Sequence, residues 1–362
     1  MNELSNILSR AEAGNALTDE ELGLLLELTD EGERELLFQA ARRLREKNFG
    51  QKVFLYGFVY FSTYCRNKCR FCYYRCANGQ SPRYRKSLPE ILEIGTALKE
   101  SGIHLLDLTM GEDPLYLSNG DEGHERLIEI FREVKKATNL PLMASPGVVP
   151  DDVVLKLKEA GADWYALYQE THSRTLYDTL RTEQPYEDRW HAKCFARDNG
   201  MLIEEGLLTG IGDSTADRVY SLREMQKLGA SQVRTMTFVP QAGTPLGSLI
   251  PQGSTREVNL IAVLRLLFPD ALIPASLDVE GAGGLKARMQ AGANVVTSII
   301  PPQAGLAGVA QAEQDIADGG RTVAGVKPLL EEVGLEPASA GEYADWIARR
   351  KALMMERGSG SL

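Results

Sequence analysis

The chain has 362 residues, 43% hydrophobic and 25% charged, with a formal net charge of −10. That balance belongs to a well-buried globular protein, and the negative charge argues against broad nucleic-acid binding, which needs a basic face. No apolar run reaches the roughly 18 residues of a membrane span, and the opening MNELSNILSRAEAGN lacks a secretory apolar core, so a cytoplasmic location is expected.

Residues 1–48 read as two or three helices, with Thr18 and Glu21 placed to form a capping box in LTDEELGLLLEL. From Val53 onward, short apolar runs alternate with amphipathic segments. The expected strands cover 53–62, 103–110, 140–145, 164–169, 202–210, 232–240, 272–278 and 294–300, with helical periods between them. The first of those helices, SLPEILEIGTALKESG, carries a Ser87/Glu90 capping box and a stop at Gly102. Eight strands alternating with helices imply parallel pairing through βαβ units and closure into a (βα)8 TIM-type barrel. A doubly wound open sheet is the rival, but no GxGxxG follows the first strand. The expected organisation is a helical extension over 1–48, the barrel over 49–305, and a C-terminal helical extension with a flexible tail over 306–362.

Three of the five cysteines, Cys65, Cys69 and Cys72, fall in YCRNKCRFCYY, just past the first strand, where barrel enzymes place their chemistry. A closed structural zinc site takes four protein ligands, and no nearby histidine or second CxxC supplies the fourth. Cys76 is read as lying outside the cluster and Cys194 as a small buried apolar residue. The four histidines are scattered without ligand spacing. Three thiolates on an iron–sulfur cluster would leave one iron open to a further ligand. The locally basic KCRFCYYR reads as a site for one small anion.

Polar residues recur at the C-terminal ends of the strands. TMGEDP ends strand two and Ser145 strand three. Gln169 and Glu170 follow strand four, and Thr209 ends strand five. Arg234 and Thr237 lie on strand six, Ser276 and Asp278 on strand seven, and Ser298 on strand eight. Each has a structural explanation alone: a serine caps the next helix, Glu170 caps the helix from Ser173, and Arg234 pairs with a carboxylate inside the barrel. Together they deliver polar groups to one mouth.

The CxxxCxxC spacing followed by an aromatic resembles the radical S-adenosylmethionine (SAM) superfamily. The resemblance implies a [4Fe–4S] cluster on Cys65, Cys69 and Cys72, whose open iron chelates the amino and carboxylate groups of SAM. An electron from the cluster then releases a 5′-deoxyadenosyl radical. It also implies that Tyr73 lies against the adenine. Gly111 and Glu112 match the element that holds the SAM amino group, with Met110 in place of its first glycine. Thr209 falls in a stretch similar to the one beneath the adenine, and Ser145 joins this cofactor set. Glu170 in ETHSRTLY, followed by Arg189, is similar to residues that contact the SAM polar groups and carboxylate in the biotin synthase and hydrogenase-maturation subgroup.

A nearer resemblance, to the methylornithine synthase family of pyrrolysine biosynthesis, rests on YFSTYCRNKCRFCYYRCAN, DLTMGEDP, ALYQET, VRTMTFVPQAGTPL and AGANVVTSIIPP, within about residues 50–305. It implies isomerisation of L-lysine to (3R)-3-methyl-D-ornithine by hydrogen abstraction, fragmentation of the carbon skeleton and recombination. An electron donor such as flavodoxin or ferredoxin is implied as partner. Lysine carries one carboxylate and two ammonium groups. Arg234 is the expected carboxylate partner, Asp113 and Asp278 the expected ammonium partners, and Ser276 adds a hydrogen bond. Thr237 and Ser298 complete the substrate-side set. No predicted strand carries a cysteine, which argues against sulfur insertion. A hydrogenase-maturation-like lyase acting on another small amino acid or thioether is the alternative, and a metal-binding module without catalysis is the reading from a different class.

Overall fold

In the computed structural model, residues 3–301 and 320–359 are described. Three helices open the chain: α1 (Glu3–Glu12), α2 (Asp19–Leu26) and α3 (Glu31–Phe49). The Thr18/Glu21 capping box starts α2, and Asp30 caps α3 by accepting from the Glu33 amide. Their apolar faces, including Leu22, Leu25, Leu37 and Ala41, enter the main core. Arg34 donates to Asn259 at 2.9 Å, and Asn259 in turn donates to the Leu28 carbonyl, tying α3 to the helix Thr255–Leu267.

Eight parallel strands follow: β1 (Lys52–Ser62), β2 (Leu105–Met110), β3 (Leu142–Ser145), β4 (Ala162–Ala166), β5 (Leu202–Thr209), β6 (Gln232–Thr237), β7 (Pro274–Ser276) and β8 (Val295–Ile299). They pair in the order β6-β5-β4-β3-β2-β1-β8-β7. The expected strands are present with shifted ends. β4 ends at Ala166, after which the chain keeps beside β5 only through an isolated bridge from Glu170 to Leu207, with Glu170 in a left-handed conformation at φ 67°. β6 stops at Thr237, short of Pro240, which has no N–H to give a ladder. The ring closes between β6 and β7 through the Gln232–Leu272 bridge, with the Val233 amide on the Leu272 carbonyl and the Leu272 amide on the Ser231 carbonyl. Above that level, no backbone hydrogen bond joins these two edges among the described residues.

The last described segments lie beneath the barrel. A short strand β9 (Glu336–Pro337) pairs with the start of β1, and the helix Ala340–Ser359 follows. Tyr343, Trp346 and Ile347 of that helix pack against Phe54, Tyr56, Leu105, Trp164 and Val295 at the lower strand ends. Trp346 stacks on Trp164 with ring centroids 5.8 Å apart, and the phenols of Tyr343 and Tyr56 meet at 2.7 Å. His104 bridges the Leu55 amide and the Ala338 carbonyl, which fixes this floor to two strands. The expected limit between barrel and C-terminal extension, at 305/306, lies outside the described residues, as does the end of the tail. Among the described residues no helix is long and apolar enough to cross a membrane.

Candidate active site

At the opposite end, the strands enclose a cavity of about 220 Å³. One wall is the loop after β1. Cys65, Cys69 and Cys72 all line the cavity, with Phe71 and Tyr74 beside them. The Cys69 sulfur accepts from Gln184 at 3.0 Å and from Arg181 at 3.4 Å; the Cys65 sulfur accepts from the Asn67 amide at 3.4 Å. Gly111 closes the loop from behind. A Cβ there would stand 2.3 Å from the Tyr64 carbonyl and 2.9 Å from Cys65, so only glycine lets the end of β2 lie this close. Burial pushes the Cys65 thiol up to about 12, with Cys69 and Glu112 adding to the rise, and lifts Cys72 further. Burial thus favours the protonated form of Cys65 and Cys72 in the bare loop, and a cationic metal group would favour their thiolates.

The second wall belongs to β2 and β4. Glu112 accepts from Arg66 at 3.1 Å and from Arg189 at 3.4 Å, and Gly147, at φ 87°, leaves its carboxylate room: a Cβ there would fall 2.1 Å from Glu112 Cγ. Arg189 also donates to the Tyr168 carbonyl at 2.8 Å. Glu170 accepts from Arg181 at 2.9 Å, so one guanidinium connects this carboxylate with the Cys69 sulfur. The strained Glu170 backbone is held by Gly206 and Leu208 of β5. Beneath it, fully buried Lys193 pairs with Glu205 and donates to Gln169 at 2.8 Å. Lys193 follows Arg189 by one helical turn, so the helix Tyr186–Asp198 is pinned by one cation while the other faces the cavity.

The third wall carries opposed charges. Arg234 donates through Nε to Glu204 at 2.8 Å and lies over the Tyr168 ring, whose phenol donates to the same carboxylate at 2.9 Å. Asp107 of β2 accepts from Ser145 at 2.7 Å. Burial, together with the negative charge of Glu204, lifts the Asp107 carboxyl to about 7. Asp278 accepts from Ser298 at 2.6 Å and Ser276 at 3.2 Å and forms an ion pair with Arg321. Burial opposes its ionisation, but Arg321 and Ser298 hold its carboxyl below the ordinary range. Thr237 lines the cavity and donates from both its amide and its hydroxyl to Glu257.

A model of the radical SAM superfamily matches residues 59–225, the stretch that contains the cysteine loop and the first two walls. The 3-methylornithine synthase of Methanosarcina acetivorans is 46% identical over 330 residues, covering 91% of this chain and 93% of that protein. The chain belongs to the methylornithine synthase family of radical SAM proteins. The 3-methylornithine synthase of Methanosarcina barkeri is 43% identical over 95% of this chain and 97% of that one. The crystal structure of a methylornithine synthase (PylB) superposes with a TM-score of 0.89 at 43% identity, over 94% of this chain and 99% of that one. The barrel, the [4Fe–4S] cluster and SAM belong to this family membership. The donor set fits the cluster: three soft sulfur ligands share one wall, with N–H donors on two of the sulfurs.

Within this methylornithine synthase fold, the cavity gathers Cys65, Cys69, Cys72, Gly111, Glu112, Ser145, Glu170, Arg189, Arg234, Thr237 and Asp278. Five expected residues are not among its lining, and each has a structural reason. Tyr73 turns away and donates to the Gln80 carbonyl; the aromatics of its loop that face the cavity are Phe71 and Tyr74. Asp113 is fully buried behind the wall, where it caps the helix Pro114–Leu117, takes two bonds from Arg85 and accepts from Ser62. The Thr209 hydroxyl donates to the Met236 carbonyl. Ser276 and Ser298 sit behind Asp278 and donate to it.

Sequence reasoning missed Asp107, Tyr168, Glu204 and Arg181. For Asp107 a signal existed: LLDLTM is an apolar strand broken by polar residues at alternate positions, so Asp107 and Thr109 share a face, and both line the cavity.

Proposed function

We propose that this protein isomerises L-lysine to (3R)-3-methyl-D-ornithine as a radical SAM mutase of pyrrolysine biosynthesis. One observation carries the reading of the site: one cavity has a three-cysteine wall on one side and Arg234, Asp107 and Asp278 on the other. In this reading Cys65, Cys69 and Cys72 hold the cluster, and Glu112, Arg189, Glu170 and Ser145 hold SAM beside it. The bound pair supplies a 5′-deoxyadenosyl radical once an electron arrives. Flavodoxin or ferredoxin in the cytoplasm is the fitting donor.

The remaining work falls to the substrate pocket. The Nε of Arg234 is engaged by Glu204, which fixes the guanidinium plane and leaves its Nη groups for the lysine carboxylate. Asp107 and Asp278 take the two ammonium groups, replacing the Asp113 expected from sequence. Each of these groups is buried, and each keeps its polar partners, so the pocket stays ordered before substrate arrives. Fragmentation and recombination need both pieces kept at contact distance, and a small cavity with charged partners at both ends of the substrate favours that proximity. Anaerobic reconstitution with iron, sulfide, SAM, lysine and dithionite should give methylornithine by mass spectrometry. SAM cleavage without that product would move the assignment to a maturation-like lyase on another substrate.

A further inference from the structure

Tyr74 is fully buried and lines the cavity. Its ring packs on Tyr60 at 5.1 Å and on Tyr73 at 5.6 Å, and its carbonyl accepts from Arg83 at 2.9 Å, so the side chain is fixed from behind. Yet its phenol oxygen has no hydrogen-bond partner. Among the described cavity residues, Tyr74 is the one whose only side-chain polar atom is buried and unmatched. A buried hydroxyl that has left water and gained nothing is costly, and native proteins rarely keep one without a ligand to meet it. Phenylalanine would fill the same space without that cost.

The neighbours of the phenol indicate which ligand group it meets. Cys72, Tyr74 and Asp278 line the same cavity, so the phenol shares it with both the cysteine wall and the substrate pocket. Asp278 is ionised and has its Arg321 and serine partners on hand. A ligand group that approaches an anion and a phenol oxygen together is a cation with several N–H donors. We propose that Tyr74 is a substrate-binding residue whose phenol oxygen, with Asp278, receives one ammonium group of the diamino acid. This rests on the lysine reading above. It gives that reading a specificity element in the cysteine loop itself.

The test uses the reconstituted holoenzyme with SAM, wild type against Tyr74→Phe, with lysine affinity measured by calorimetry. Loss of one hydrogen bond to a charged group should weaken lysine binding roughly tenfold, while SAM affinity and the cluster spectrum stay unchanged. Two analogues then locate the contact: 2-aminohexanoate lacks the side-chain ammonium, and 6-aminohexanoate lacks the α-ammonium. The substitution should cost nothing further with one of them and keep its full penalty with the other. Equal penalties for lysine and both analogues, or a change confined to SAM affinity, would overturn the assignment. So would unaltered lysine binding in an active enzyme. A wild-type holoenzyme that cleaves SAM but neither binds nor converts lysine would instead overturn the lysine reading, and this one with it.

Discussion

Arg234 and Glu204 form a 2.8 Å ion pair inside the barrel, with Glu204 fully buried. The cation assigned to the substrate carboxylate is therefore not held in reserve. It is already oriented by a carboxylate behind it, and that carboxylate is also bonded by Tyr168. Arg234→Lys should fail although it keeps the charge, because a lysine cannot bond Glu204 through one nitrogen and present two more in the same plane. The expected loss in kcat/KM for lysine is roughly 10- to 100-fold, measured by product formation under anaerobic conditions, with cluster content unchanged. A variant as active as the parent would remove Arg234 from substrate recognition.

The Asp107 carboxyl, lifted to about 7 by burial and then by Glu204, gives the pH dependence. In the ligand-free protein its folded pKa lies above the ordinary 3.8, so the neutral form is favoured in the fold. That contribution to stability is complete below pH 4 or so and is lost as pH rises through 7. An arriving ammonium reverses the preference, since it binds the ionised form. Lysine affinity should strengthen as pH climbs toward 7 and level off above it, with protons released on binding below that point. Calorimetry in buffers of different ionisation enthalpy reads this, and Asp107→Asn should flatten the curve.

Asp278→Ala takes away the carboxylate of buried Arg321 and the acceptor for Ser276 and Ser298. It should abolish turnover and lower stability by about 3 kcal/mol, while the iron content stays intact because the bonds it removes run to Ser276, Ser298 and Arg321 and not to the cysteines. Denaturant melts and iron analysis on the same preparation check both halves. Retained lysine conversion would take Asp278 off the site.

Among the cysteines, only those of the cavity wall should hold iron. Replacement of Cys65, Cys69 or Cys72 by alanine should give nearly colourless protein after anaerobic reconstitution. Cys76→Ala should match the parent, since Cys76 is exposed and does not line the cavity. Absorbance near the visible charge-transfer band and iron per chain measure the difference.

The barrel was legible because its strands are short apolar runs set between amphipathic periods, and both signals are local. The cysteine wall was legible for the same reason: its ligands lie within eight consecutive positions. What escaped was the facing of side chains where two neighbours offered the same chemistry. Asp107 and Asp113 are both acids in one motif, but strand alternation points the first inward, and the turn after Met110 makes the second a helix cap bonded to Arg85. Tyr73 and Tyr74 divide in the same way. Glu204 and Arg321 escaped because their partners are 30 and 43 residues away, and no local pattern encodes such pairing.

The incomplete join between β6 and β7 has a consequence for the ligand. Arg234 and Thr237 stand on one bank of that gap, and Asp278 stands just past the end of β7 on the other. A molecule held at one end by Arg234 and at the other by Asp278 lies across the place where the cylinder is not laced by its own backbone. In the proposed pose the substrate would link, through side chains, two strands that the backbone leaves unjoined at the mouth, so its binding should tighten that side of the barrel.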